Sequence, residues 1–275
     1  MSRIYDALKK LEADRLPRGG NGGNGGNGGG NGGGNGKRRG WRRFFAGNGR
    51  SNGHAQVALR LPLDPEAEEA YQRLGTNLLV PAAGESGPAP RLLGVTASRH
   101  GEGTTTTAAV FASILVRRRG GRVAVVEANR RSPSFDGVFA IPRDGGFAEL
   151  IEGKKTLVEV ALPTEVANLF AIGCGHSELG APALFDSPGV VTALEELRKQ
   201  FEFVIFDLPP ANVYADASIL APRLDAALIV IEADRTRVPE VERTRRSLER
   251  VGVKLVGSVL NRRRNYIPAF LEEML

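Results

Sequence analysis

The stretch LLGVTASRHGEGTTTT, residues 92–107, sets the reading of the whole chain. LLGVTA is a run of apolar and small residues with no polar alternation, which predicts a strand covered on both faces. SRHGEG follows, with Gly101 and Gly103 free to take backbone conformations that let the chain approach a ligand closely. A helical pattern then runs over 105–118, so its unpaired first-turn amides face back over the loop. Strand, glycine loop and helix N-terminus in that order form an arrangement that holds a phosphate.

Working outward, the same strand type recurs in RVAVVEA (122–128), LFAIG (169–173), FVIFD (203–207), AALIVIEA (226–233) and KLVGSVLN (254–261). Helical patterns lie at 64–80, where Asp64 and Pro65 suit the N-cap and N1 positions, and at 187–200, 214–221 and 238–251. Apolar strands alternating with helices predict an α/β fold: a doubly wound, mostly parallel sheet of about six strands in one domain over 58–275.

Of the 275 residues, 41% are apolar and the net charge is +6. Residues 1–60 carry 12 basic and 3 acidic side chains against 25 and 28 in the remainder, so the folded part is close to neutral and nucleic acid is not its expected partner. The single cysteine, Cys174, rules out an internal disulfide framework and any multi-cysteine metal site. The chain has no apolar run of the roughly 18 residues a membrane span needs, and the opening MSRIYDALKK lacks a secretory apolar core. A cytoplasmic protein is expected. Residues 1–15 predict a short amphipathic docking helix, with Ile4, Leu8 and Leu11 on one face. Residues 16–57 read as a flexible basic linker in which 19–36 consist of 13 Gly and 5 Asn, a composition with nothing to bury. Within it, KRRGWRRFF (37–45) interleaves cations with aromatics, which makes an anionic membrane surface a candidate partner. A merely solubilising run is the alternative.

Against the phosphate-loop pattern G-x-x-x-x-G-K-[ST], Ser98 stands at the first Gly and Thr104 at the Lys, while Thr105 keeps the hydroxyl that reaches Mg2+. Two rivals fit the loop alone. One is a glycine turn with no ligand. The other is a dinucleotide fingerprint with Glu127 as the ribose acid, but the Tyr-x-x-x-Lys pair it needs downstream occurs only at Tyr5 and Lys9, far upstream. The P-loop reading draws on Asp207, which ends the apolar strand FVIFD before Pro209 and Pro210, where a Walker B acid belongs.

Taken together, these motifs resemble the cytoplasmic P-loop tyrosine kinases of bacterial capsule and exopolysaccharide synthesis, relatives of the ParA/MinD ATPases. The resemblance covers 1–15, where MSRIYDALKKLEA is similar to the exosortase-associated autokinases, and about 64–275. EAYQRLGTNLLV, SRHGEGTTTT, VAVVEANRRSP, FVIFDLPP, YADASIL and VGSVLNR match the family's ordered motifs. The resemblance implies a ParA/MinD-like P-loop NTPase fold and the cofactors ATP and Mg2+. It implies nucleotide contacts from Ser98, His100, Gly101, Glu102, Gly103, Thr104, Thr105 and Thr106, with Asn261 facing the adenine. Thr105 and Asp207 would hold the metal, and Asp207 and Glu127 would serve at the metal and the attacking hydroxyl. It further implies a membrane-embedded polysaccharide co-polymerase as partner, peripheral attachment to the inner membrane through it, and a homo-oligomer.

Four departures accompany the resemblance. The Walker A Lys is Thr104; two family Asp positions are Glu127 and Asn129; Gln72 and Gly75 replace both arginines of the ring motif that starts at Glu69; and the tail has Tyr266 without a tyrosine cluster. Arg99 is the candidate replacement cation. A weakened Mg-ATP-dependent autokinase or ATPase, a non-catalytic adaptor of the co-polymerase and a ParA/MinD-like positioning ATPase all remain open.

Overall fold

A computed structural model describes residues 56–60, 65–79, 89–142 and 145–263. The strands are β1 (Leu92–Ala97), β2 (Val123–Glu127), β3 (Leu162–Pro163), β4 (Leu169–Ile172), β5 (Phe203–Asp207), β6 (Ala226–Glu232) and β7 (Leu255–Asn261). They form one sheet in the order β3-β4-β2-β5-β1-β6-β7. Every pairing is parallel except that of β3 with β4. All residues of β1, β2, β4 and β5 are buried, the physical basis of their unalternated sequences.

One face is covered by α1 (Pro65–Leu79), α2 (Thr104–Arg119) and α3 (Phe135–Phe139). The other is covered by α4 (Phe147–Ile151), α5 (Leu157–Val160), α6 (Ala181–Asp186), α7 (Pro188–Gln200), α8 (Asp216–Leu220) and α9 (Val238–Arg250). Helix α2 is buried at every position from 107 to 116, because it lies between the sheet and α1. Helix α1 is fastened to it by the Tyr71 hydroxyl, 3.2 Å from Thr107 Oγ1, and by Arg118, which donates to the Gln72 carbonyl at 2.6 Å. Buried Gly75 lies against the Phe111 ring, a packing position between α1 and α2.

The doubly wound parallel sheet agrees with the sequence reading, and six strands fall where the apolar runs put them. The seventh, β3, is a two-residue antiparallel edge. The short helices α3 to α6 were not anticipated, since four to six residues are too few to display a 3.6-residue period. Val57, assigned to the linker, is buried and bridges Thr164. The docking helix 1–15, the glycine-rich tether, the 37–45 segment and Tyr266 lie outside the described residues. Among the described residues no helix is long and apolar enough to cross a membrane.

Candidate phosphate-binding site

β1 runs between β5 and β6, so the loop that leaves it emerges beside the C-terminal end of β5. Gly101 and Gly103 take φ of 82° and 92°, the left-handed region in which a side chain is strained. Gly103 caps α2, and its carbonyl accepts from the Thr107 amide at 2.9 Å, closing the first helical turn. The amides that open α2 have no intrahelical acceptor and point over the loop, as do those of any helix. That concavity is the candidate anion site.

Two carboxylates lie beneath it. The parallel register sets Glu127, the last residue of β2, opposite Asp207, the last of β5. Asp207 is fully buried, and Thr105 Oγ1 donates to its Oδ2 at 2.6 Å. The Ser134 hydroxyl lies 2.9 Å from the same Thr105 oxygen. Asp207 Oδ1 is buried without a hydrogen-bond partner among the described residues. Burial pushes the Asp207 carboxyl up to about 7; the Thr105 and Thr104 hydroxyls act against that rise and the Glu127 charge adds to it. A buried, unsatisfied carboxylate oxygen calls for a proton or a cation. Thr105 and Asp207 supply the hard oxygen donors that Mg2+ takes, so the residues fit that ion.

Glu127, expected at the metal and the attacking hydroxyl, is engaged by backbone amides. Its Oε1 accepts the amides of Ser134 (2.5 Å) and Phe135 (2.8 Å), and its Oε2 accepts the Cys174 amide at 3.2 Å. Both oxygens are therefore occupied in fastening the start of α3 and the turn after β4. Burial raises its pKa, with these backbone donors opposing the rise. Asn129, also buried, accepts the Ser132 amide at 3.3 Å and so turns its own loop.

Arg99 also departs from expectation. Its guanidinium lies 3.7 Å from Glu240 on α9, with both side chains partly exposed, so it is drawn toward a helix carboxylate. The Ser98 hydroxyl lies 2.7 Å from Thr244 Oγ1 on α9. The Glu102 carboxylate is turned into the loop, where it accepts the Ser98 and Arg99 amides. Asn261 Nδ2 donates to the Glu102 carbonyl at 2.9 Å, behind the loop. His100 is exposed and meets the Tyr214 ring edge-on at 5.4 Å between centroids. Thr106 is exposed.

Sequence reasoning missed several members of this site. Ser134 and Thr236 come from loops far along the chain, and Arg131 reaches Asp216 on α8 at 3.0 Å while its guanidinium lies 5.1 Å from the Tyr214 ring centroid. The motifs ANRRSP and YADAS signalled the two loops that hold this last pair, but not that they touch.

A glycine loop between β1 and α2, the Thr105–Asp207 hydrogen bond and a parallel sheet with β1 between β5 and β6 give the chain a fold of the P-loop NTPase type. No family model matches the chain. The tyrosine-protein kinase CpsD of Streptococcus pneumoniae is 28% identical over 204 residues, 74% of this chain and 87% of that protein. Among solved structures, the chimerical protein CapA2B2 superposes with a TM-score of 0.68 at 23% identity, over 78% of this chain and 96% of its own. Cobyrinic acid a,c-diamide synthase from Mycobacterium smegmatis, with bound ATP analog and magnesium, shares the fold at a TM-score of 0.53 and 19% identity, over 62% of this chain and 72% of its own. The chain is thus similar to proteins named tyrosine-protein kinase and putative tyrosine-protein kinase, CpsD, CapB and EpsB among them.

Proposed function

We propose that this protein binds Mg-ATP at the P-loop and acts in exopolysaccharide or capsule biosynthesis as a tyrosine-autokinase-like protein whose phosphoryl transfer is weakened. The observation that carries the proposal is the buried, unpartnered Asp207 Oδ1 beside the Thr105 hydroxyl at the mouth of the loop. When bound there, Mg2+ would supply positive charge to offset that of the phosphate oxygens. The chain's own part is to hold that ion between Thr105 and Asp207 and to bind phosphate oxygens with the amides that open α2. Thr104 brings a hydroxyl where the family brings a point charge, so stabilisation of the transferring phosphoryl falls by several kcal/mol, at about 1.4 kcal/mol per decade of rate. A structural neighbour with bound ATP analog and magnesium supports nucleotide and magnesium binding on this fold in general.

A second reading, a non-catalytic adaptor regulating a membrane-embedded polysaccharide co-polymerase, is favoured by Thr104 and by the engagement of both Glu127 oxygens with backbone amides. In either reading the protein is cytoplasmic and reaches the inner membrane through that partner, with residues 37–45 contributing contact to anionic lipid, and it assembles with copies of itself.

Calorimetric titration of Mg-ATP into the full-length protein, Asp207→Ala and Thr104→Lys separates the two. Micromolar binding lost in Asp207→Ala and strengthened about tenfold or more in Thr104→Lys is expected. No saturable binding up to millimolar Mg-ATP refutes the nucleotide-dependent reading and leaves the adaptor.

A further inference from the structure

A loop destined for a polyanion here contains a carboxylate of its own. Glu102 is only 2% exposed, and burial of a carboxylate is costly unless its lone pairs are met. They are met entirely from nearby. Oε2 accepts the Ser98 amide at 2.8 Å and the Arg99 amide at 3.1 Å, four and three residues back in the same loop. Oε1 accepts the Thr236 hydroxyl from the turn between β6 and α9. The Glu102 carbonyl accepts Asn261 Nδ2 from the end of β7 at 2.9 Å. The Ser98 hydroxyl meets Thr244 of α9. A Cβ at Gly103 would displace the Asn261 amide, and the φ of 92° there is one that side chains rarely adopt.

The loop is thus gripped from two sides. β5 brings Asp207 to the Thr105 hydroxyl, while the β6–α9 turn, α9 and β7 bring Thr236, Thr244 and Asn261. The second grip touches no part of the Thr105–Asp207 pair. Its effect is to use the first two loop amides internally and leave the later ones, from Gly101 into the first turn of α2, for an incoming anion.

We infer that Glu102 is a positioning residue: its carboxylate folds residues 98–103 into a preformed phosphate cradle and, through Thr236, couples that cradle to the β6–α9 turn. This rests on the nucleotide-site reading above. With no lysine at 104 to draw phosphate in, affinity depends on amides already in place before ligand arrives, since ordering the loop on binding would subtract from it.

The test compares Glu102→Ala, Glu102→Gln and Thr236→Val in the full-length protein by hydrogen exchange of the peptide spanning 98–103, without nucleotide, and by calorimetric titration with Mg-ADP. Glu102→Ala is expected to accelerate exchange at Ser98 and Arg99 by about tenfold or more, because their acceptor is gone. The same variant weakens Mg-ADP by about tenfold. Glu102→Gln restores both, since its carbonyl can accept the two amides while its amino group donates to Thr236. Thr236→Val produces a smaller loss of the same kind and decides the matter if Glu102→Ala fails to fold. Unchanged exchange in Glu102→Ala, or faster exchange with unchanged Mg-ADP affinity, overturns the inference. Absence of Mg-ADP binding in the wild type refutes the nucleotide reading instead, and the exchange comparison still judges Glu102.

Discussion

Replacing Asp207 with asparagine should make the metal-free protein more stable at pH 8 while leaving it nearly unaffected at pH 5. In the folded chain the Asp207 carboxyl is pushed up to about 7, chiefly by burial. In the unfolded chain it titrates near its ordinary value of about 3.9. Between those values the native state holds a proton that the unfolded state has released, so stability falls as pH rises and the loss is complete just above pH 7. From pH 5 to pH 8 the wild type crosses about two of these units, which at about 1.36 kcal/mol per unit is a loss of roughly 3 kcal/mol. The substituted carboxamide does not titrate in this range and escapes that loss. Glu127, which is raised in the same direction, is present in both proteins and its contribution largely cancels in the comparison. For a domain of this size about 2–4 °C accompany each kcal/mol, so the melting temperature of Asp207→Asn should rise relative to wild type by about 6–12 °C more at pH 8 than at pH 5. Thermal melts of both proteins with a chelator present, at the two pH values, measure this directly. Parallel pH profiles would refute the claim that Asp207 is a buried carboxylate awaiting a cation. Adding Mg2+ at pH 8 should stabilise the wild type and leave Asp207→Asn where it was.

Two other outcomes follow from the geometry around the site. Arg131→Ala leaves fully buried Asp216 without its cation and should cost about 2 kcal/mol in urea denaturation, less than the about 3–5 kcal/mol of a fully buried pair because the Arg131 side chain is 42% exposed; an effect below about 0.5 kcal/mol would show that Asp216 is satisfied elsewhere. The Cys174 thiol is raised to about 12 by burial and the neighbouring Glu127 carboxylate, so iodoacetamide at pH 8 should label the native protein more than about a hundredfold more slowly than the unfolded chain, as read by intact mass; equal rates would place the thiol outside that environment.

The sequence was a good guide wherever a short local pattern has one physical solution. LLGVTA and FVIFD carry no polar alternation because both faces of the strand are covered, so their burial and the parallel sheet were legible residue by residue. The glycine spacing of SRHGEG and the terminal acid of FVIFD likewise drew attention to Thr105 and Asp207, which a hydrogen bond joins across 102 positions. What the sequence could not convey was the use to which each polar group is put. Glu127 has the right type and place for a base, yet the chain reverses after β2 so that the Ser134 and Phe135 amides reach its carboxylate. Arg99 is a cation at the right loop position, yet α9 brings Glu240 within 3.7 Å. Asn261 ends β7, and only the packing of that edge behind the loop sets its amide on the Glu102 carbonyl rather than in open space.

The division has one cause. Strand burial, glycine conformations and helix ends depend on residues a few positions apart, and the sequence by itself determines them. The allocation of hydrogen bonds and charges depends on which distant donors the sheet order places against a buried oxygen: Thr236 and the loop's own amides on Glu102, backbone N–H groups on Glu127, and the Thr105 hydroxyl at 2.6 Å on Asp207. That allocation is decided only when β5, β1, β6 and β7 lie side by side, because an oxygen sealed from water must take whatever partners the packing supplies.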